Sequence, residues 1–353
     1  MSRAHDTLDE ALELLDDTGP EYDGGFSNHA PMVAEALCVL GRDDAVIPWV
    51  KKYKQRLSAP PLPNKKIAPD DWKSALGDIT RDADWIAFMA RELDEHPWEE
   101  ALDTWVARLT PGLAAAAAHG VIRTAHAVRG YAARATPPRK RELARGLAYW
   151  AARYQELPVS IRKSMMHSNA HDALARMETL PPAQRPRGGS IVDGLAALRE
   201  LSSFANVIDF VGTSADPSPF VSEVTEAFAN VYLANAQDAG HRIIFVHAVT
   251  GPSALRLIAP HVKPETARAA ERYVWQLAAG IYAAFAKAGA IEPRAAEPKS
   301  EGPSDARELA AACVKSGDEH AIKMTEACLR EHALSPKSVY LAAAHDACTH
   351  LSA

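Results

Sequence analysis

A histidine and a lysine lie three residues apart in the segment 318–323, at His320 and Lys323. At that spacing both side chains fall on one face of a helix. A protonated ammonium has three donors and no lone pair, so it cannot bind a metal. The lysine becomes a ligand only by losing its proton or by reacting with CO2 to form a carboxylate. The pair therefore raises the hypothesis of an unusual metal site.

An ordinary interpretation of Lys323 competes with this hypothesis. Glu319 lies four residues before the lysine, the orientation that favours an ion pair on a helix surface. The helical periodicity places Lys323 at the edge of the apolar face, and taken alone it favours the surface ion pair.

Two further histidines occupy positions that suit a neutral imidazole. His29 begins a helix, where the dipole disfavours the imidazolium form, although a capping role is favoured on local grounds. His247 lies between an apolar run and a helix start that Thr250 would cap, so it is predicted to be buried. A core histidine and a metal ligand are equally compatible with that position.

A helix is predicted over residues 112–134, and it is apolar or small nearly all round, which is typical of a buried central helix. His119 and His126 share one stripe of it with small residues, as in the wall of an internal cavity. Seven residues rise about 10.5 Å along a helix, so one histidine is expected to bind a metal and the other to contact it indirectly or to contact substrate. Which histidine is the ligand stays open.

Composition and missing motifs exclude several classes of function. The formal net charge is −6 with no basic stripe, which argues against nucleic-acid binding. No dinucleotide or phosphate-binding glycine motif occurs, so neither NAD nor flavin is expected. The four cysteines lack CxxC spacing, the N-terminus does not resemble a signal peptide, and the apolar stretch 273–290 is interrupted by Gln276 and Lys287. We therefore expect a soluble, cytoplasmic protein without a membrane span.

The apolar spacing predicts an all-α fold, with all 353 residues forming a single large helical domain. The segment 291–305 is predicted to be a surface linker within it. Only 242–246 has strand-like residues, and a buried helix end is equally compatible there. Helices are predicted over 6–16, 29–40, 82–93, 98–109, 112–134, 139–155, 160–178, 191–204, 219–236, 264–288, 305–315, 318–332 and 336–349.

Several segments, in their order along the chain, resemble the questin oxidase-like family. They are Asn-His at 28–29, Ala-Pro-Pro-Leu-Pro at 59–63, Trp-Lys-Ser-Ala-Leu-Gly at 72–77, His-Gly-Val-Ile-Arg at 119–123, His-Ala-Val-Thr at 247–250 and Asp-Glu-His-Ala-Ile-Lys at 318–323. The resemblance implies an α-helical oxygenase or oxidase without flavin, related to fungal enzymes that open anthraquinone rings. A member of the family is similar in using non-haem iron held by histidines and a carboxylated lysine. Carried over to this chain, the implied ligands are His29, His119, His247, His320 and carboxylated Lys323.

The resemblance leads to one principal hypothesis. It is a mononuclear oxygenase in which ferrous iron, Fe(2+), binds O2 and an ionised aromatic polyketide or quinone-type substrate. A carboxylated lysine would supply the anionic ligand, because Asp318 points to another face. His126 lies where relatives often carry an aromatic residue and Arg123 where some carry histidine. These two residues are the candidates for moving a proton or holding a phenolate.

Two alternatives belong to other functional classes. Imidazole also suits zinc, so the same ligands could serve a zinc-dependent hydrolase, although five protein ligands leave at most one open position. A non-catalytic helical binding protein would use the histidines as core residues. The sequence does not determine the substrate, the number of oxygen atoms transferred or the oligomeric state.

Overall fold

The computed structural model describes residues 3–160, 168–186, 190–213, 216–293 and 305–353. Most of these residues are helical. The strands among them, β1 (Glu21–Tyr22) and β2 (Phe26–Ser27), form a single two-residue hairpin. The prediction of an all-α fold is confirmed.

The chain divides into two compact units, Met1–Gln155 with Pro260–Lys263 and Glu156–Ala259 with Pro264–Ala353. The prediction that all residues form a single domain stays a prediction. The first unit contains the helices α1 Arg3–Leu14, α2 Ala30–Val39, α3 Asp43–Lys54, α4 Asp82–Glu95, α5 Trp98–Leu109, α6 His119–Ala133 and α7 Pro137–Ala152. The second contains α8 Ala170–Ala175, α9 Ile191–Ala197, α10 Pro217–Asn235, α11 Ala239–Ile258, α12 Pro264–Phe285, α13 Ala306–Ser316, α14 Glu319–Leu334 and α15 Ser338–His350.

Short 3₁₀ segments connect these helices. They are Trp72–Ala75, Ile79–Arg81, Thr110–Gly112, Pro182–Gln184, Leu198–Glu200, Ser202–Asp209 and Ala259–His261.

In the first unit, α7 packs against both α4 and α6. Glycines allow α6 and α7 to approach closely: a Cβ at Gly120 would lie 2.8 Å from the Cα of Trp150, and one at Gly146 would lie 2.9 Å from the Cα of Thr124. Any larger residue at these two positions would force the helices apart. Small residues of α6, which the sequence analysis attributed to the wall of a cavity, thus also allow close packing of the helices.

In the second unit, α11 packs against α10, α12 and α14. The span Ala239–His261 is long and apolar enough to cross a membrane by length and composition, and 72% of its most apolar window is buried inside the protein. Burial of this kind also fits a core helix of a soluble protein. The absence of a membrane span stays a prediction.

Helix bounds differ from the sequence-based predictions at several places. α11 is not among the predicted helices, and the helix predicted over 191–204 ends at Ala197. α3 is not predicted and contains Pro48. The helix predicted over 112–134 begins only at residue 119, after a turn with left-handed backbone. Residues 242–246 are helical, which resolves the alternative between strand and helix. Of the helix predicted over 160–178, residues 161–167 lie outside the described residues, and the described part is α-helical over Ala170–Ala175. Most of the predicted linker 291–305, namely 294–304, also lies outside them.

Asp82, the first residue of α4, is a buried carboxyl group in an unusual state. It is 1% exposed, and neither carboxyl oxygen has a hydrogen-bond partner among the described residues. Burial raises the pKa of Asp82 to about 7, although the charge of Arg123 acts in the opposite direction. Two residues further on, Asp84 accepts hydrogen bonds from the backbone of Asn64 and Lys65 and pairs with Arg81.

These two carboxyl groups predict opposite effects of neutral substitution. The pKa of Asp82 rises on folding from an ordinary value of 3.8 to about 7, so folding takes up a proton between these pH values. The free energy of unfolding should therefore fall as pH rises through this window. Asp82→Asn should remove that loss and raise stability at pH 8, relative to the wild type, by on the order of 1 kcal/mol.

Asp84→Asn is the matched control in the same helix. It removes a carboxylate that Arg81 and two backbone N–H groups stabilise, so it should cost about 1–3 kcal/mol near neutral pH. Urea denaturation between pH 5 and pH 8 measures both effects. Parallel pH profiles for the wild type and Asp82→Asn would show that Asp82 does not titrate on folding.

Candidate functional site

His29 and His119 form a buried imidazole pair within the first unit. The Nε2 atoms of the two rings lie 3.0 Å apart, and the ring planes are inclined by 62°. His29 directly precedes α2 but makes no capping hydrogen bond with its side chain. Asn28 does so instead, because its Oδ1 accepts from the backbone N–H of Ala30 at 3.0 Å. His29 thus occupies the N-cap position, as the capping interpretation expects, but its side chain does not form the cap.

The proton of His119 is located by its hydrogen bond. Nδ1 lies 2.6 Å from the carbonyl oxygen of Ala116, and since a carbonyl only accepts, Nδ1 carries the proton. Nε2 then has the lone pair, and it faces Nε2 of His29. Two ligands at adjacent positions of an octahedron with bonds of about 2.0–2.1 Å would be about 2.9 Å apart. The observed separation fits two nitrogens that share one ion.

The second unit contains another imidazole pair, His247 and His320, whose ring centroids lie 5.5 Å apart. His247 is buried in the middle of α11 rather than at the predicted junction, because α11 continues through the apolar run and through Thr250. Its Nδ1 donates to the carbonyl oxygen of Ile243 at 2.7 Å, which leaves the lone pair on Nε2. Burial, followed by the charges of His320 and Lys323, holds the pKa of His247 well below its usual value. The ring is neutral, as a metal ligand must be.

Lys323 is 1% exposed, so the interpretation as a surface ion pair is wrong and the expected burial is confirmed. Its Nζ has no hydrogen-bond partner among the described residues. Burial lowers the pKa of Lys323 to about 8, although Glu319 and Asp318 act to raise it. A buried amine in this state is partly unprotonated near neutral pH, which is the form that can react with CO2 or bind a metal.

Glu319 is a buried residue of this region that the sequence analysis treated only as a surface partner. It is the first residue of α14, and one of its carboxylate oxygens lies within 4.8 Å of a ring nitrogen of His320. Asp318 caps the same helix, because its Oδ1 accepts from the backbone N–H groups of His320 and Ala321. The sequence could have indicated a role for Glu319 other than a surface ion pair, because it directly follows a capping aspartate and the first turn of a helix favours anions.

Arg123 forms a buried ion pair with Glu142. Its Nε and Nη2 donate to the two carboxylate oxygens of Glu142 at 2.6 and 2.9 Å. Burial acts to lower the pKa of Arg123, but the charge of Glu142 and the hydrogen bonds to it outweigh burial and raise the pKa.

His126 lies on α6 two turns after His119 and is held by Glu35 of α2. Its Nδ1 lies 2.7 Å from Oε2 of Glu35, which also pairs with Arg129. Burial acts to raise the pKa of Glu35, but Arg129 and His126 outweigh it and hold the pKa below its usual value. The histidine that contacts His29 is therefore His119. His126 belongs to a separate polar group with Glu35 and Arg129, formed between α2 and α6.

Arg123 and His126 line one pocket of the first unit, together with Glu35, Glu142 and Arg139. The space at its centre is about that of one water molecule. It does not accommodate an aromatic ring in this conformation. The roles of Arg123 and His126 in proton transfer or substrate binding stay predictions.

The buried Arg123–Glu142 pair predicts how substitutions at Arg123 change the free energy of unfolding. The size of this change indicates whether Arg123 has a structural role. Arg123→Met leaves the Glu142 carboxylate buried without compensation and should cost about 3–5 kcal/mol. Arg123→Met combined with Glu142→Leu removes both charges and should recover most of that loss. Urea denaturation of the two variants measures this.

Arg134→Met, which breaks the exposed pair with Asp6, is the control and should change stability by about 1 kcal/mol or less. If Arg123→Met is as stable as the wild type, the guanidinium is not required by the core and is available to a substrate.

Comparison with known proteins places the chain in a family. No curated protein matches the chain. A sequence profile described as questin oxidase-like matches residues 26–328, which include both imidazole pairs and Lys323. Because the match covers most of the chain, this protein belongs to the questin oxidase-like family.

Proposed function

We propose that this protein is an oxidase or oxygenase that uses one non-haem iron and O2 to oxidise an aromatic, quinone-type substrate. In this proposal His29, His119, His247, His320 and Lys323 supply the ligands of a single ion. Family membership supports the reaction class. The observation that carries the metal assignment is the arrangement of protons in the two histidine pairs, together with the unpartnered Nζ of Lys323.

The donor set fits a divalent transition metal. His119 and His247 each bind a backbone carbonyl through Nδ1 and keep the Nε2 lone pair. A hydrogen bond of this kind fixes the ring and is typical of metal-binding histidine. Imidazole suits iron, zinc and copper alike, so the chemistry of the family rather than the ligand set favours iron.

Lys323 would provide the negative charge that four imidazoles lack. An unprotonated Nζ attacks CO2, one N–C bond forms, and a proton is released to give a carbamate with two carboxylate oxygens. Burial already lowers the pKa of Lys323 to about 8, so the reactive amine is accessible without further change. The buried carboxylate of Glu319 is a second source of negative charge beside His320.

When bound, the iron would allow electrons of an ionised substrate to pass to O2 without a nicotinamide. The protein residues would then exclude water, orient the substrate and handle its phenolic proton. We assign proton transfer to His126, because Glu35 holds Nδ1 and the other ring nitrogen, Nε2, is left to exchange a proton. Arg123 would act by its positive field, since Glu142 occupies its hydrogen-bonding edge.

We also propose a reducing compartment such as the cytoplasm, because all four cysteines are free thiols. A small aromatic molecule and O2 are the proposed partners.

The metal assignment predicts a shared loss of one ion. Tag-free wild-type protein should contain about one iron per chain by elemental analysis, the stoichiometry of a mononuclear site. His29→Ala, His247→Ala, His320→Ala and Lys323→Ala should each lose most of it, because each removes a ligand of the same ion. His241→Ala is the control, since that ring is partly exposed and is bound to Asp238.

Other outcomes of the same measurement are equally informative. Stoichiometric zinc without iron would favour the hydrolase. Absence of any stoichiometric metal from the wild type would contradict both metal functions and leave a helical binding protein.

Carboxylation of Lys323 predicts a specific spectroscopic signal. Protein loaded with diamagnetic Zn(II) in place of iron and equilibrated with ¹³C-bicarbonate should show one carbamate carbon by ¹³C NMR, and Lys323→Arg should lack it. Lys263→Arg, at an exposed lysine, should retain it. If the loaded wild type has no carbamate carbon but binds iron, the anionic ligand is not Lys323, and Glu319→Gln should then lose the metal.

A further inference from the structure

The segment that precedes His119 has an unusual backbone. Ala116, Ala117 and Ala118 have φ values of 48°, 56° and 76°, in the left-handed region. Among the described residues the only other non-glycine residue with positive φ is Asp23. A left-handed conformation costs a non-glycine residue about 1–2 kcal/mol, so three in succession are a considerable local strain.

The turn is tied to the imidazole that follows it. The carbonyl oxygen of Ala116 accepts two hydrogen bonds from His119, one from its backbone N–H at 3.2 Å and one from Nδ1 at 2.6 Å. Both the position of the residue and the orientation of its ring are therefore fixed by one carbonyl. That carbonyl belongs to the first residue of the left-handed turn.

The surrounding structure holds the turn in place. All three alanines are buried. On one side, Nε1 of Trp150 donates to the carbonyl oxygen of Gly112 at 3.1 Å. On the other side, Gly120 lies directly against the backbone of Trp150. Packing against one residue of α7 at both ends maintains a conformation that alanine would not adopt by itself.

Ordinary helix starts do not require this strain. The preferred residue before a helix is Ser, Thr, Asp or Asn in an extended conformation, with a side chain that caps the first turn. Ala118 has neither the side chain nor the extended conformation. The strained turn is thus unnecessary for starting α6, but it does place Nε2 of His119 3.0 Å from Nε2 of His29.

We propose that the strained turn 116–118 is a positioning element that pre-orients His119 for metal binding. The inference rests on the proposed metal function and names the part of the backbone that prepares one ligand. Rigid placement of the His119 ring reduces the reorganisation that accompanies metal binding. The strain in the turn would therefore be offset by a higher affinity for the metal.

Glycine substitutions test the proposal because glycine adopts positive φ without cost but does not enforce it. Ala117→Gly and Ala118→Gly should leave the melting temperature of the metal-free protein unchanged or higher. Their affinity for Fe(II), measured anaerobically by competition with a chromogenic chelator, should fall about tenfold, as for the loss of an orienting partner of a ligand. Ala115→Gly is the matched control: it is buried, adjacent to the turn and lacks positive φ. It should lower the melting temperature with little effect on affinity.

A double-mutant cycle with His119→Ala identifies the route of the effect. If the turn acts through His119, Ala118→Gly should not weaken Fe(II) binding further in the His119→Ala background. Wild-type affinity in both glycine variants would overturn the positioning role while leaving the metal function intact. Additive losses in the cycle would also overturn it, and a wild type that binds no metal would overturn both proposals.

Discussion

The candidate site depends on where each buried imidazole keeps its single proton. A neutral imidazole has one donor nitrogen and one lone pair, and only the lone pair can bind a metal. In His119 and His247 a backbone carbonyl takes the proton on Nδ1, so Nε2 is left as the donor to an ion. The two carbonyls arise differently. Ile243 lies one helical turn before His247 in a continuous helix, whereas Ala116 is brought to His119 by a left-handed turn. Two unrelated backbone conformations thus achieve the same distribution of protons.

Buried charges in this protein fall into two groups according to their partners. Arg123 with Glu142, and Glu35 with His126 and Arg129, are fully paired and have the properties of structural networks. Lys323 and Asp82 are equally buried, yet their polar atoms have no hydrogen-bond partner among the described residues. Burying such groups is costly unless something outside the folded chain compensates them or they lose their charge. The lack of a hydrogen-bond partner therefore distinguishes Lys323 from the buried arginines, which its position in the sequence does not.

Much of the fold follows from the spacing of apolar residues, and the departures have physical causes. α3 is not apparent because Pro48 normally interrupts a helix. Residues 242–246 have β-branched side chains, but burial between neighbouring helices overrides that local preference. The late start of α6 could not be predicted, because alanine is the best helix former and nothing in its side chain indicates a left-handed turn.

The site was predictable to a different degree at each residue. The position of His29 at a helix start and the burial of His247 follow from local sequence. The choice of His119 as a ligand follows from the resemblance to a family, whereas its position at a helix start does not, because α6 was predicted to begin seven residues earlier. The burial of Lys323 does not follow from local sequence, because a glutamate four residues earlier is the usual mark of an exposed pair. The pairing of His126 with Glu35 joins α2 and α6, and contacts between helices distant in sequence are not encoded by periodicity.

The contact between Gly120 and Trp150 has a practical consequence. The indole is fully buried, and its Cγ would lie 3.0 Å from a Cβ at the residue next to His119. In the proposed metal function, a paramagnetic ion bound to His119 would quench the fluorescence of nearby indole rings. Trp150 packs against the residue next to this ligand, so part of the tryptophan emission would then depend on whether the ion is bound.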